Sequence, residues 1–249
     1  MCTLVLLRRP AADWPVIVGA NRDEMIARPW RAPARHWPDR PEVVAGLDEL
    51  AGGSWLGLND HGVVAGILNR IGSLGPAPGQ RSRGELVLEA LDHADAVDAA
   101  KALAAIEPRA YRTFNMIVAD SRDAFWLRHA DESGKRRVEV HPVKEGFSMI
   151  AAGEFDDPSM PRFARYRPRF LAAAPPDPAR GDWADWEKLL GDTGGGNPAD
   201  AMNFVTDRGF ATVSSALIAL PSHAKPEMKP RFRFAGHLPQ ATPWHDIVL

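Results

Sequence analysis

The sequence predicts an α+β fold, with antiparallel sheets and helices grouped outside them, in a single domain over residues 1–249. Three observations support this prediction. Short apolar runs typical of strands come in pairs near the start, a helical period replaces them in the middle, and strand-like runs return towards the end. No repeat or long linker divides the 249 residues, which suffice for a substantial core.

The first pair of runs predicts a hairpin at the very start of the chain. Thr3 to Leu7 is a β-favouring run, and Val16 to Ala20 follows after a turn-prone segment. This hairpin holds residue 2 at the edge or end of a sheet. The next residues, Asn21-Arg22-Asp23-Glu24, read as a polar turn that follows the second strand. Arg28 to Pro41 lacks either period and reads as a loop.

A second hairpin follows, and then the period changes. Ser54 to Leu58 and Val63 to Leu68 flank Asn59 to Gly62, a link whose Asn, Asp and Gly residues favour a hairpin turn. Ser82 to Glu85 fits a capping box at the start of a helix, and Asp95 to Ile106 is alanine-rich and helical. Further strands are predicted at Val43–Ala45, Asn115–Ala119, Ala124–His129, Val138–Val140, Phe147–Ala151, Thr212–Leu220 and Arg231–Ala235, and further helices at Pro161–Ala173 and Trp183–Leu190.

The composition is that of an ordinary globular protein. It is 45% hydrophobic and 25% charged, with a formal net charge of −2, so no strong electrostatic signal for nucleic acid exists. The apolar start, Leu4 to Leu7, is too short for a signal peptide or a membrane span. The single cysteine excludes an intrachain disulfide and fits a reducing compartment. We therefore expect a cytoplasmic protein that binds no nucleic acid and does not span a membrane.

The most informative residue is that cysteine, Cys2. Small second residues generally permit removal of the initiator Met1, which would leave a thiol and a free α-amine on one residue. An α-amine with a pKa of roughly 7.7–8.0 can take the proton of a thiol with a pKa of about 8.5, so the pair combines a nucleophile with its base. The alternative is a buried cysteine that acts as a small apolar residue.

Three further residues suit acyl transfer by this thiol. Arg22 supplies a positive charge that stabilises a thiolate, and Asp23 can accept hydrogen bonds from the ammonium group or the thiol. Asn69, at the end of the second hairpin, can donate an uncharged hydrogen bond to an oxyanion. Each also has an ordinary explanation, since charged turns and strand-ending asparagines are common.

The remaining candidates are substrate-binding residues. Asn21, Trp30, Trp55 and His61 lie in or near these motifs and are predicted to line a pocket; the tryptophans equally suit a role in the core. The eight histidines show no metal-binding spacing, so no metal site is predicted.

These motifs carry a resemblance to a known family. The start Met1-Cys2-Thr3, the Asn21-Arg22-Asp23-Glu24 block and the following Arg28-Pro29 resemble the NRDE family, which includes the eukaryotic transport-and-Golgi-organisation proteins. The layout is more distantly similar to choloylglycine hydrolases and penicillin V acylases. That likeness implies the four-layer αββα sandwich of N-terminal nucleophile hydrolases. It also implies that Cys2 is nucleophile and base, that Arg22 and Asp23 support it, and that Asn69 is an oxyanion donor.

The sequence departs from the acylases at two places. Those enzymes use a further mid-chain asparagine, which Ile150 to Glu154 lacks, and a late arginine, for which Arg208, Arg231 and Arg233 are all available.

Two classes of function therefore stay open. The first is an amidohydrolase that cleaves a small-molecule linear amide through a Cys2 thioester and needs no cofactor. The second is a non-catalytic binding or trafficking protein for haem, an acyl-CoA or another lipid, with Cys2 or a histidine as a haem ligand.

Overall fold

The structure is a computed structural model that describes residues 2–132, 135–195 and 197–249. The predicted removal of Met1 therefore concerns a residue outside those described. The chain forms two compact units: the first comprises residues 1–28 and 145–248, and the second residues 29–144 together with Leu249. The prediction of a single domain stays a prediction. No helix in the described parts of the chain is long and apolar enough to cross a membrane.

The first unit contains a six-stranded antiparallel sheet in the order β10-β1-β2-β11-β12-β13. The two N-terminal strands therefore lie in the middle of the sheet, between strands that come more than a hundred residues later in the chain. The strands are β1 (Thr3–Arg8), β2 (Val16–Met25), β10 (Gly146–Ile150), β11 (Phe210–Leu220), β12 (Arg231–Gly236) and β13 (His245–Asp246).

Two helices pack on one face of this sheet, α3 (Pro161–Ala172) and α4 (Ala184–Leu190). The strands contribute Val5, Ile17 and Leu217 to this interface. Each is wholly buried in one cluster with the aromatic rings of the helices. The rings of Phe147, Phe170 and Trp186 meet at centroid distances of 5.2–6.0 Å, which suits both edge-to-face and offset packing.

The second unit contains a seven-stranded antiparallel meander whose strands follow chain order, β3 to β9. Two helices inserted between β6 and β7 cover one face, where Leu86, Leu103 and Met116 lie in a single buried cluster. The elements are β3 (Trp30–Ala34), β4 (Val43–Asp48), β5 (Leu56–Asn59), β6 (Val64–Asn69), α1 (Gly84–Leu91), α2 (Ala96–Ala104), β7 (Phe114–Ala119), β8 (Ala124–Glu132) and β9 (Lys135–Pro142).

Three local predictions were wrong. Residues 21–24 lie within β2, because β11 pairs with them as far as Met25. The predicted loop after Arg28 contains β3, an edge strand whose pairing with β4 shifts near Pro33, the kind of position where a strand tolerates proline. The predicted capping box does not form: the Glu85 carboxylate bonds with Tyr111 and Arg81, and the Ser82 hydroxyl accepts from the Gly84 N–H at 3.2 Å.

Candidate active site

The polar motif lies in the middle of a strand, so its side chains alternate between the two faces of the first sheet. Asn21 and Asp23 reach the face that carries the helices, where their partners include Leu190 of α4 and Arg162 of α3. Arg22 is therefore directed to the opposite face. The side chains of these four adjacent residues, predicted as one polar turn, therefore lie on the two opposite faces of the sheet.

Cys2 lies directly before β1 and is half-buried beside Asp23 of β2. Its Sγ lies 3.3 Å from the backbone nitrogen of Asp23, which donates to it, and 3.5 Å from the Asp23 carbonyl oxygen, which accepts from the thiol. The β1–β2 register sets this contact by pairing Thr3 with Asn21. The thiol is therefore held by main-chain groups of the motif.

The Asp23 carboxylate is buried on the helix-bearing face. Its Oδ1 accepts a hydrogen bond from the Thr212 hydroxyl at 2.7 Å, and its Oδ2 lies 3.3 Å from Nη1 of Arg162. The two charged side chains are 0% and 3% exposed, respectively. A buried carboxylate needs such partners, because without them the cost of removing its charge from water is large.

This environment determines the protonation state of the thiol. Burial raises the pKa of the Cys2 thiol above its usual value, and the negative charge of Asp23 raises this pKa further. The Asp23 N–H and the positive charge of Arg22 act in the opposite direction but are smaller causes. At neutral pH the resting form is therefore the thiol, and a nearby base is needed to produce the nucleophile.

Asn21 is fully engaged with the protein. Its side-chain nitrogen donates to the carbonyl oxygens of Leu190 at 2.9 Å and Met202 at 2.8 Å, and its oxygen accepts from the Ser215 hydroxyl at 2.6 Å. The predicted substrate contact at Asn21 is untested, and these bonds favour a structural role instead.

The same hydrogen-bond chain continues to His237, just after β12. Because the Ser215 hydroxyl donates to Asn21, its oxygen accepts from Nε2–H of His237, 2.7 Å away. This fixes the imidazole as the Nε2–H tautomer when it is neutral. Burial lowers the pKa of His237, while the charge of Asp23 opposes that shift.

Asn69, Trp30, Trp55 and His61 belong to the second unit. Asn69 ends β6 opposite Phe114. Trp30 and Trp55 meet edge to face at 6.0 Å between ring centroids. His61 lies in a turn with half of its side chain exposed and its Nε2 3.2 Å from a Glu42 oxygen.

The loop that follows Asn69 is fixed by side chains of the same unit. Arg112 donates to the carbonyl oxygens of Gly72 and Leu74 at 2.7 and 2.8 Å. The Ser73 hydroxyl accepts from the Arg70 N–H at 2.9 Å and donates at 2.8 Å to a carbonyl oxygen. These bonds hold residues 70–74, which directly follow Asn69, in one loop conformation.

Sequence reasoning missed Arg162, Thr212, Ser215 and His237. Thr212 and Ser215 left a weak signal, because together with Ser214 they interrupt an otherwise apolar strand, in which each of the three is at most 1% exposed. Arg162 left none, since it is one of several arginines in α3. Arg233, one of the late arginines considered, instead pairs with Glu187 and Asp246 at 2.9 Å.

Within the described residues, no group of three or more His, Cys, Asp or Glu side chains is arranged to hold a metal ion.

Comparison with known proteins identifies the family. The family described as Transport and Golgi organisation 2 matches residues 1–175, well over half of the chain. The protein belongs to this family. None of the curated proteins compared with it matches.

Solved structures identify the fold of this Transport and Golgi organisation 2 family member. A Caenorhabditis elegans N-acylethanolamine-hydrolyzing acid amidase ortholog aligns at a TM-score of 0.60 and 13% identity, over 87% of this chain and 92% of its own. Penicillin V acylase from Agrobacterium tumefaciens aligns at 0.60 and 15%, over 99% and 86%. A mutant conjugated bile acid hydrolase from Clostridium perfringens aligns at 0.52 and 12%, over 99% and 92%.

At these identities the likeness shows the fold alone. The predicted fold class, an α+β fold of the N-terminal nucleophile hydrolase type, is confirmed.

Proposed function

We propose that the chain, once Met1 is removed, is an N-terminal cysteine amidohydrolase that cleaves the C–N bond of a small-molecule linear amide. The observation that carries this proposal is the seating of the Cys2 Sγ between the backbone N–H and C=O groups of Asp23, at 3.3 and 3.5 Å. A hydrogen bond from a backbone N–H favours a thiolate over a thiol, which is what a nucleophile requires.

Removal of Met1 is the activating step in this proposal. Because burial and Asp23 raise the thiol pKa, the intact chain holds Cys2 as a neutral thiol. Cleavage after Met1 creates an α-amine on Cys2 itself, with an ordinary pKa of roughly 7.7–8.0. That amine is two bonds from the carbon that bears sulfur and can act as the base, so the mechanism needs no second titratable group.

The reaction then proceeds in two stages. The α-amine takes the Sγ proton as sulfur attacks the amide carbonyl carbon, and the carbonyl oxygen becomes an oxyanion. The C–N bond breaks as the α-ammonium returns this proton to the departing amine, which leaves a thioester on Cys2. Water, deprotonated by the same amine, hydrolyses the thioester and releases a carboxylic acid and the free thiol. No cofactor is needed.

The other predicted residues have supporting roles in this scheme. Arg22 stabilises the thiolate by its charge, and Asn69 donates to the oxyanion. Trp30, Trp55 and His61 remain proposed substrate contacts. The solved neighbours are named for acting on N-acylethanolamines, penicillin V and conjugated bile acids, which supports an amide with an apolar acyl group by analogy of fold.

A panel of such amides tests the proposal, with intact mass used first to confirm that Met1 is absent. Cys2→Ala should abolish turnover, and Asn69→Ala should lower kcat by about 10²–10³. Thermal unfolding midpoints should stay near that of the parent chain in both variants. Parental turnover in either variant would contradict the assignment.

One observation favours the binding function as the alternative. A chain that keeps Met1 has no α-amine on Cys2, and its raised thiol pKa leaves a neutral thiol that does not attack an amide. A haem iron would bind this sulfur only by displacing its proton, since the thiolate is the metal ligand. Retained Met1, no turnover, and a visible absorbance band on haem addition that Cys2→Ala removes would together support this alternative.

A further inference from the structure

The first unit contains a buried ion pair beneath the cysteine that the proposed chemistry leaves without a task. Arg162 and Asp23 lie on the helix-bearing face with side chains 3% and 0% exposed. A buried ion pair is weak evidence for stability, because desolvation offsets most of the attraction between its charges. The contacts of this pair point to a different purpose.

Arg162 connects three separate segments. Its Nη1 donates to the Thr3 hydroxyl at 2.6 Å and to Asp23 Oδ2 at 3.3 Å, and its Nη2 donates to the Pro198 carbonyl oxygen at 2.8 Å. Thr3 is the residue after Cys2, and Asp23 is the residue whose backbone holds Sγ. One planar guanidinium therefore contacts residues on both sides of the sulfur contact.

Arg162 also balances a charge that opposes the nucleophile. Burial is the largest cause of the raised pKa of the Cys2 thiol, and the negative charge of Asp23 is the next largest. A cation next to that carboxylate offsets its effect on sulfur, because their fields act in opposite directions. The charged or titratable groups around Asp23 include Arg22 on its own strand, Arg162 on α3 and His237 after β12. Burial lowers the pKa of His237, and the charge of Asp23 opposes that shift.

We infer that Arg162 is a positioning residue for the Cys2 nucleophile: it fixes Thr3 and Asp23 on either side of the sulfur contact and neutralises the carboxylate buried beneath it. This inference rests on the proposed role of Cys2. It deepens that proposal by naming a residue outside the N-terminal motifs on which the reactivity of the thiol depends.

Alkylation of Cys2 by iodoacetamide between pH 6 and 10, followed by intact mass, tests the inference. The chain has one cysteine, so adducts in excess of those formed by a Cys2→Ala blank under the same conditions report Cys2. The assay needs no substrate, so it gives a result even if no amide is hydrolysed. Three proteins are compared: the parent chain, Arg162→Gln and Arg162→Lys. His237 is common to all three, so its titration cancels in the comparison.

Arg162→Gln should raise the pH at half-maximal alkylation and slow the reaction at pH 7 by about tenfold, since the carboxylate charge is no longer offset. Arg162→Lys keeps the charge and should leave this pH midpoint close to that of the parent chain. A parental profile in folded Arg162→Gln would overturn the inference. So would equal shifts in the two variants, because these would report general loosening.

A gentler variant keeps the test decisive if Arg162→Gln does not fold. Thr3→Val removes only the hydroxyl that accepts from Nη1 and preserves volume. It should slow alkylation at pH 7 by about threefold and leave the maximal rate at high pH unchanged. Parental alkylation in folded Thr3→Val, alongside an unfolded Arg162→Gln, would show that Arg162 serves stability alone and would overturn the inference.

Discussion

Single residues of the motif hold the Cys2 sulfur with their backbone and bond to the core of the first unit with their side chains. Asp23 presents its backbone to the Cys2 sulfur and its carboxylate to Thr212 and Arg162. Asn21 uses both of its amide N–H groups and its side-chain oxygen in hydrogen bonds to protein groups. The division follows from strand alternation, which sends neighbouring side chains to opposite faces.

Asn21 gives a prediction at this scale. Asn21→Ala leaves two buried carbonyl oxygens and one hydroxyl without their partner, so it should cost about 2–4 kcal/mol of the free energy of unfolding, measured in urea. Ser215→Ala is the matched control, since it removes one bond to Asn21 and one to His237, and it should cost about 1–2 kcal/mol. An Asn21→Ala protein with parental stability and a raised KM would instead support the predicted substrate contact.

At the scale of elements, close contacts decide where side chains sit. A Cβ atom at Gly46 in β4 would lie 2.3 Å from the Trp55 ring, so the absence of a side chain there makes room for the indole. That position of the ring allows the edge-to-face contact with Trp30. The pairing of β3 with β4 places Trp30 opposite Asp48, two residues after Gly46. The contact between Trp30 and Trp55 therefore depends on this strand pairing as well as on Gly46.

Gly46→Ala tests this arrangement. The added methyl group should displace the indole and lower the free energy of unfolding by about 1–3 kcal/mol, with a change in the near-ultraviolet circular dichroism of the tryptophans. Trp55→Phe removes the ring atoms that the methyl group would strike. The Gly46→Ala, Trp55→Phe double variant should therefore lose less stability than the sum of the two single variants. Simple additivity would argue against the contact.

At the scale of the whole molecule, the first unit is discontinuous in sequence. Residues 1–28 supply two adjacent interior strands of its sheet, and residues 145–248 supply the strands on either side. Forming this sheet requires long loops to close, and the entropy lost on closure precedes the stabilising contacts between strands. Slow folding is therefore expected. The start of the chain is therefore an integral part of the fold and not an extension of it.

A tag at either end of the chain distinguishes the proposed amidohydrolase from the alternative binding protein. An uncleavable histidine tag before Met1 should preserve the thermal midpoint but abolish amide turnover, because no α-amine forms on Cys2. The same tag after Leu249, next to the exposed Val248, should preserve both. Amide turnover by the N-terminally tagged protein would show that the α-amine is not the base.

Much of the fold could be predicted because local patterns determine it. The hairpin of β5 and β6, the helices α3 and α4, and most strand cores were foreseen from periodicity and turn residues. The strand through residues 21–24 and the edge strand β3 were missed. Their polar and proline-rich sequences become strands only through pairing with β11 and β4, which are not visible in a local window.

The candidate site divides in the same way. The sequence by itself singled out Cys2 as the proposed nucleophile, because a lone cysteine behind Met1 is informative without any partner, and it also contained the motif that accompanies this cysteine. Only the tertiary structure decided what that motif does. The contacts of Asp23 with Arg162 and Thr212, and of Asn21 with Ser215, span 139 to 194 residues of sequence. No local pattern specifies such contacts, since they arise from the register of central strands against β11 and from the packing of α3 on the sheet.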